Sequence, residues 1–164
     1  ITLALYAKNV AQAVTVGRTA LDACKTDSEQ ARPLIWALIA TAYALANEQE
    51  KALHLLRSAE EQLSKMPMPR RNETHIAIAE GYLALKRPDQ TKKHARRALQ
   101  TADGHGFALR SVKARVLLAE ASEPEERKMH ARVAADLLKE ILGRISQDKV
   151  RSHYIMQKIT TLSA

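Results

Sequence analysis

The run from Trp36 to Ala59, WALIATAYALANEQEKALHLLRSA, constrains the fold of this chain more than any other stretch. Trp36, Ile39, Ala40 and Tyr43 recur at three- and four-residue steps. After the polar break Asn47-Glu48-Gln49, the small or apolar residues Ala52, Leu56 and Ala59 do the same. That spacing puts each set on one face of a helix, so the run predicts two amphipathic helices joined by a tight turn. Small residues on those faces mark where the helices approach closely. Composition points the same way: alanine and leucine dominate, aromatics are 4%, and only five glycines and five prolines punctuate the chain. Helix is favoured over sheet. A length of 164 residues with 46% hydrophobic content predicts one ordinary globular domain, residues 1–164.

The rest of the chain reads as further copies of that pair. Ala13, Gly17 and Ala20 repeat the spacing of Ala52, Leu56 and Ala59, so the first 24 residues hold the tail of one helix and a full second one. With Ile1 as the first residue, this predicts a piece of a longer polypeptide. Helices are predicted at about 29–46, 49–65, 72–85, 88–101, 107–120 and 125–144, with a closing helix at 149–162. Thr26-Asp27-Ser28 and Asn72 supply candidate N-caps. The prolines of Met66-Pro67-Met68-Pro69 end one helix, and Pro88 opens another at its first turn. Asp103-Gly104-His105-Gly106 is the clearest turn. Tyr82 repeats Tyr43 thirty-nine residues on, and His94-Ala95-Arg96 matches His130-Ala131-Arg132 thirty-six residues on.

On these residues the chain resembles the tetratricopeptide-repeat (TPR) superfamily, whose unit reads W-x2-L-G-x2-Y and then A-x3-F. Ala40 stands for the glycine and Leu56 for the phenylalanine; later, His75 stands where Trp36 does, Thr91 replaces Ala52, and Leu118 replaces the tyrosine. The long period and the ending LLKEILGRISQDKVRSHYI resemble the arrays of bacterial signalling ATPases and maltose-regulator-type transcriptional activators. The resemblance implies an all-α, right-handed superhelix of antiparallel helix pairs with a C-terminal closing helix. It also implies a non-enzymatic, cytoplasmic interaction or sensor region of a signalling or transcription-regulatory protein, with first helices lining a concave groove.

Nothing in the sequence converges on catalysis. No phosphate-binding glycine loop or nucleophile elbow is present. The single Cys24 allows no internal disulfide and reads as a buried small residue. His54, His75, His94, His105, His130 and His153 are scattered without metal-ligand spacing, so neither metal nor cofactor is expected. No apolar run approaches the roughly 20 residues needed to cross a bilayer.

Two stretches carry the functional expectations. The first is charge: of a net +8, residues 70–115 contribute seven, with eleven Lys/Arg against four Asp/Glu. Arg70, Arg71, Lys86, Arg87, Lys92, Lys93, Arg96 and Arg97 form this basic region, either a platform for an acidic partner or a solvated outer face. Direct nucleic-acid binding through this basic region is an alternative reading, weakened by the lack of aromatic interleaving for stacking on bases. The second is the groove, expected to be lined by Thr41, Ala44, Glu73, Ile76, Glu80, Leu83, Leu109 and Val112, a mixed apolar and acidic set suited to an amphipathic peptide. Packing against a neighbouring helix is the competing explanation. A small-molecule effector is the alternative ligand.

Overall fold

A computed structural model describes residues 9–24, 29–144 and 161, and these are helical with no strand among them. Helix α1 spans Val10–Ala23, α2 Arg32–Leu45, α3 Gln49–Gln62, α4 Arg70–Ala84, α5 Pro88–Gly104, α6 Ala108–Glu120 and α7 Pro124–Arg144. Single 3₁₀ turns, Glu29–Ala31 and Leu63–Lys65, precede α2 and follow α3. The chain divides into two compact units, residues 1–87 and 88–164. No helix among the described residues is long and apolar enough to cross a membrane.

In the first unit, α2 packs on α1, α3 and α4, and α3 packs on α4. Its core joins Ile39 and Tyr43 of α2, Ala52, Leu56 and Ala59 of α3, and Ile78 and Tyr82 of α4. Trp36 is partly buried against that cluster. In the second unit, α6 packs on both α5 and α7. Val112 and Val116 of α6 meet Ala134 and Leu138 of α7 there. The small residues predicted to allow close helix approach do so: Ala40, Ala52 and Ala59 are fully buried.

The repeat is visible in backbone geometry as well as in sequence. After α2, Asn47 takes φ +63° and the Glu48 N–H donates to the Tyr43 carbonyl at 2.9 Å. Thirty-nine residues on, Lys86 takes φ +56° and the Arg87 N–H donates to the Tyr82 carbonyl at 2.9 Å. After α5, Gly106 takes φ +68° and the Phe107 N–H donates to Ala102 at 2.9 Å. Each is a left-handed residue closing a six-residue hydrogen bond, the Schellman ending that satisfies otherwise orphaned carbonyls.

Two predicted boundaries differ: α5 continues through Asp103 and Gly104, which confines the expected turn to His105-Gly106. Asn72 is not an N-cap but lies inside α4 and is fully buried. The helix begins at Arg70 because the carbonyls of Pro67 and Pro69 accept from the N–H groups of Arg71 and Glu73, closing its first turn early. Pro88 opens α5 as expected, and Pro124 opens α7 in the same way. The cap at 26–28 and the closing helix at 149–162 lie outside the described residues.

Candidate functional site

The basic region resolves into side chains with different duties. In the second unit, Lys92 Nζ lies 2.8 Å and Arg96 Nη2 3.2 Å from the two oxygens of Glu126, tying α5 to the first turn of α7. Hydrogen bonding from Lys92, with Arg96 adding to it, holds the Glu126 carboxyl down to about 2. His130 sits one turn further on, its Nε2 3.7 Å from Glu126. Burial pushes that imidazole below its ordinary value, against the pull of Glu126, while Arg115 and Arg96 reinforce the shift. Arg115 in turn reaches Asp103 at 3.3 Å, and Ser111 donates to the same carboxylate at 2.6 Å. Lys93 and Arg97 stand apart from this network, both exposed on α5.

In the first unit, Arg71 is a brace. Its guanidinium donates to the Met66 carbonyl at 2.9 and 2.6 Å and to Ser64 at 3.0 Å, capping the 3₁₀ turn after α3. Arg70, Lys86 and Arg87 are exposed. The eight basic residues therefore do not form one uncommitted patch.

The eight residues expected to line a groove differ in burial. Thr41, Ile76 and Val112 are core residues, with Thr41 9%, Ile76 4% and Val112 0% exposed. The Thr41 hydroxyl donates to the Ala37 carbonyl one turn back, at 3.1 Å. Glu73 and Leu109 are exposed, and Ala44, Glu80 and Leu83 are half-buried. Helix α4 is buried over most of its circumference, so Ile76 packs against neighbouring helices.

Sequence reasoning missed a pocket of about 420 Å³ in the first unit, between α1, α2 and α3. Its floor is apolar: Leu21, Ile39 and Leu55, with the ring of Tyr43. Its polar lining is Arg18, Glu50, Lys51 and His54. Arg18 Nη2 donates to the Tyr43 hydroxyl at 2.9 Å. Lys51 Nζ lies 5.4 Å from the centre of the Tyr43 ring and is ion-paired to Glu48. Glu48 pushes the Lys51 ammonium above its usual value, while the nearby Arg18 charge acts in the opposite direction. Arg18 and Tyr43 are twenty-five residues apart on different helices, and helical periodicity carries no signal for such a pair.

The histidines divide by burial, with His75, His94 and His130 buried and His54 and His105 exposed; His153 lies outside the described residues. Among the described residues no group of His, Cys, Asp and Glu could hold a metal ion. Comparison with protein-family models, curated proteins and solved structures returned no match. Likeness to the TPR pattern therefore rests on this chain's own residues.

Proposed function

We propose that this chain is a non-enzymatic interaction module of a larger regulatory protein, built from TPR-like helix pairs and recognising an acidic protein or peptide partner. The observation supporting this most directly is the outer face of α5. Lys93 and Arg97 lie one turn apart and exposed, while the neighbouring Lys92 and Arg96 are occupied by Glu126. A pair of exposed cations on a rigid helix steers acidic partners and raises association rates. On the first unit, Ala44, Glu73, Glu80 and Leu83 remain accessible enough to contact a peptide. Assembly of the pairs into a right-handed superhelix with a concave groove is part of this proposal.

The test reverses Lys93 and Arg97 to Glu together. These are better positions than Arg96, whose reversal would set two carboxylates against each other at Glu126 and disturb the second unit itself. Partner capture by the wild-type chain should fall with ionic strength and be lost in the double variant. A partner held equally by both proteins at every salt concentration refutes the reading. If nucleic acid is captured instead, with a steep dependence on salt, the partner class is wrong.

A second reading, an effector-sensing domain, is favoured by the pocket between α1, α2 and α3, which is of small-molecule size.

A further inference from the structure

The pocket's chemistry says more than its size. The Tyr43 oxygen accepts from Arg18, and a phenol hydroxyl also carries one proton to donate. Among the described residues no acceptor takes that proton. Arg18 has five N–H donors, and its one hydrogen bond among the described residues goes to a phenol rather than a carboxylate. Two donors of this kind, side by side at the edge of an apolar floor, match the two oxygens of a carboxylate.

Charge selects further. Arg18 and Lys51 both line the pocket, so a cationic ligand would enter beside two cations. Glu50 also lines the site, leaving a formal lining charge of +1 with histidine counted neutral. Lys51 is further occupied by Glu48. A phosphate or other polyanion would leave negative charge uncompensated beside Glu50. A single negative charge is matched by Arg18, the lining cation that no carboxylate among the described residues engages. Leu21, Ile39 and Leu55 then require that the rest of the ligand be apolar.

We infer that this pocket binds an apolar organic monoanion, a free carboxylic acid of medium chain length. Its tail lies on Leu21, Ile39 and Leu55, and its carboxylate takes hydrogen bonds from the Arg18 guanidinium and the Tyr43 hydroxyl. This assignment names the ligand class for the effector reading and rests on it for biological purpose alone. Binding is measurable without any partner.

The experiment titrates the purified chain with octanoate, octylamine and octanol, followed by calorimetry and by amide chemical shifts. Octanoate should saturate and move amides of α1, α2 and α3 around the pocket. Octanol should bind about tenfold more weakly, the loss expected for hydrogen bonds to a charged group. Octylamine should not saturate. Arg18→Gln, at an exposed position, should weaken octanoate at least about tenfold while leaving the chain cooperatively folded, and Tyr43→Phe about tenfold. Equal binding of octylamine, an undiminished affinity in Arg18→Gln, or no saturable octanoate binding overturns the assignment. So does tighter binding of a capped peptide ending in a leucine carboxylate, which would make the source a protein C-terminus. If octanoate binds as stated but leaves partner capture unchanged, the site stands and the effector reading fails.

Discussion

Gly81 offers the sharpest test of how the first unit is packed. A Cβ placed there would lie 2.8 and 3.3 Å from the two methyl carbons of Leu56 and 3.4 Å from Thr41 Oγ1. Alanine is the better helix former by about 1 kcal/mol, so an uncrowded helix would gain that from Gly81→Ala. Here the gain is opposed by overpacking, which costs about 1–3 kcal/mol. Leu56 is fully buried and has little room to yield, so the expected result is a net loss of about 1 kcal/mol. Leu56→Ala alone opens a cavity and should cost about 3 kcal/mol. In that background the clash with Leu56 is gone, and the new methyl fills part of the void. Gly81→Ala should then stabilise by about 1–2 kcal/mol, from helix propensity and one buried methyl. The coupling in this double-mutant cycle is therefore about 2–3 kcal/mol, well beyond ordinary additivity error. Trp36 is the only tryptophan and packs on the same core, so urea unfolding followed by its emission reports on this unit. Coupling below about 0.5 kcal/mol would show that α4 does not approach α3 as closely as described.

Three further outcomes follow from the same structure. Lys86 adopts a left-handed conformation that costs a non-glycine residue about 1 kcal/mol or more, so Lys86→Gly should raise stability by about 0.5–1 kcal/mol in chemical denaturation. Burial first, then the Glu60 carboxylate and its hydrogen bond, push the Tyr82 hydroxyl up to about 12; the stability this group contributes is complete below pH 10 and lost as pH rises toward 12, and ultraviolet titration should show a late step missing from Tyr82→Phe. On the acid side the signs run the other way. Stability from neutral, buried His130 is present above pH 6.5 and declines as pH falls below it, while that from Glu126 is present above pH 4.5 and lost toward pH 2. Denaturation at a series of pH values should show the lower step vanish in Glu126→Gln and the upper one persist.

Much of the fold was legible because helical periodicity is a local property. The Tyr43 and Tyr82 positions, the buried Ala52, Leu56 and Ala59, and the openings at Pro88 and Pro124 all follow from residues within one or two turns. The site was far less legible. Lys92 and Glu126 are thirty-four residues apart, and Arg18 and Tyr43 twenty-five. Such pairs depend on how far each helix rotates about its own axis in the packed unit, and no residue spacing records that rotation. Ile76 shows the same limit from the other side. Its spacing opposite Ile78 and Tyr82 on α4 is compatible with either a groove or a neighbouring helix, and the packed unit buries it.

That failure indicates where function can reside in this architecture. Helices α2, α4 and α6 carry buried residues around most of their circumference, Thr41 and Tyr43 on α2, Ile76 and Ile78 on α4, Val112 and Ala114 on α6. The described residues of α1, α3 and α5 bury far fewer positions and leave a wide solvent face. A helix enclosed by neighbours has little surface for a ligand, and its sequence is bound to packing. The helices with free faces can vary in charge without loss of the core. Both candidate sites draw their charged groups from these helices: Arg18 from α1, Lys51 from α3, Lys93 and Arg97 from α5. Tyr43 is the exception, a core residue of α2 whose ring and hydroxyl line the pocket. Recognition by this chain should accordingly be altered by substitutions on the solvent faces of α1, α3 and α5 that leave stability intact, whereas substitutions at the buried positions of α2, α4 and α6 should change both together.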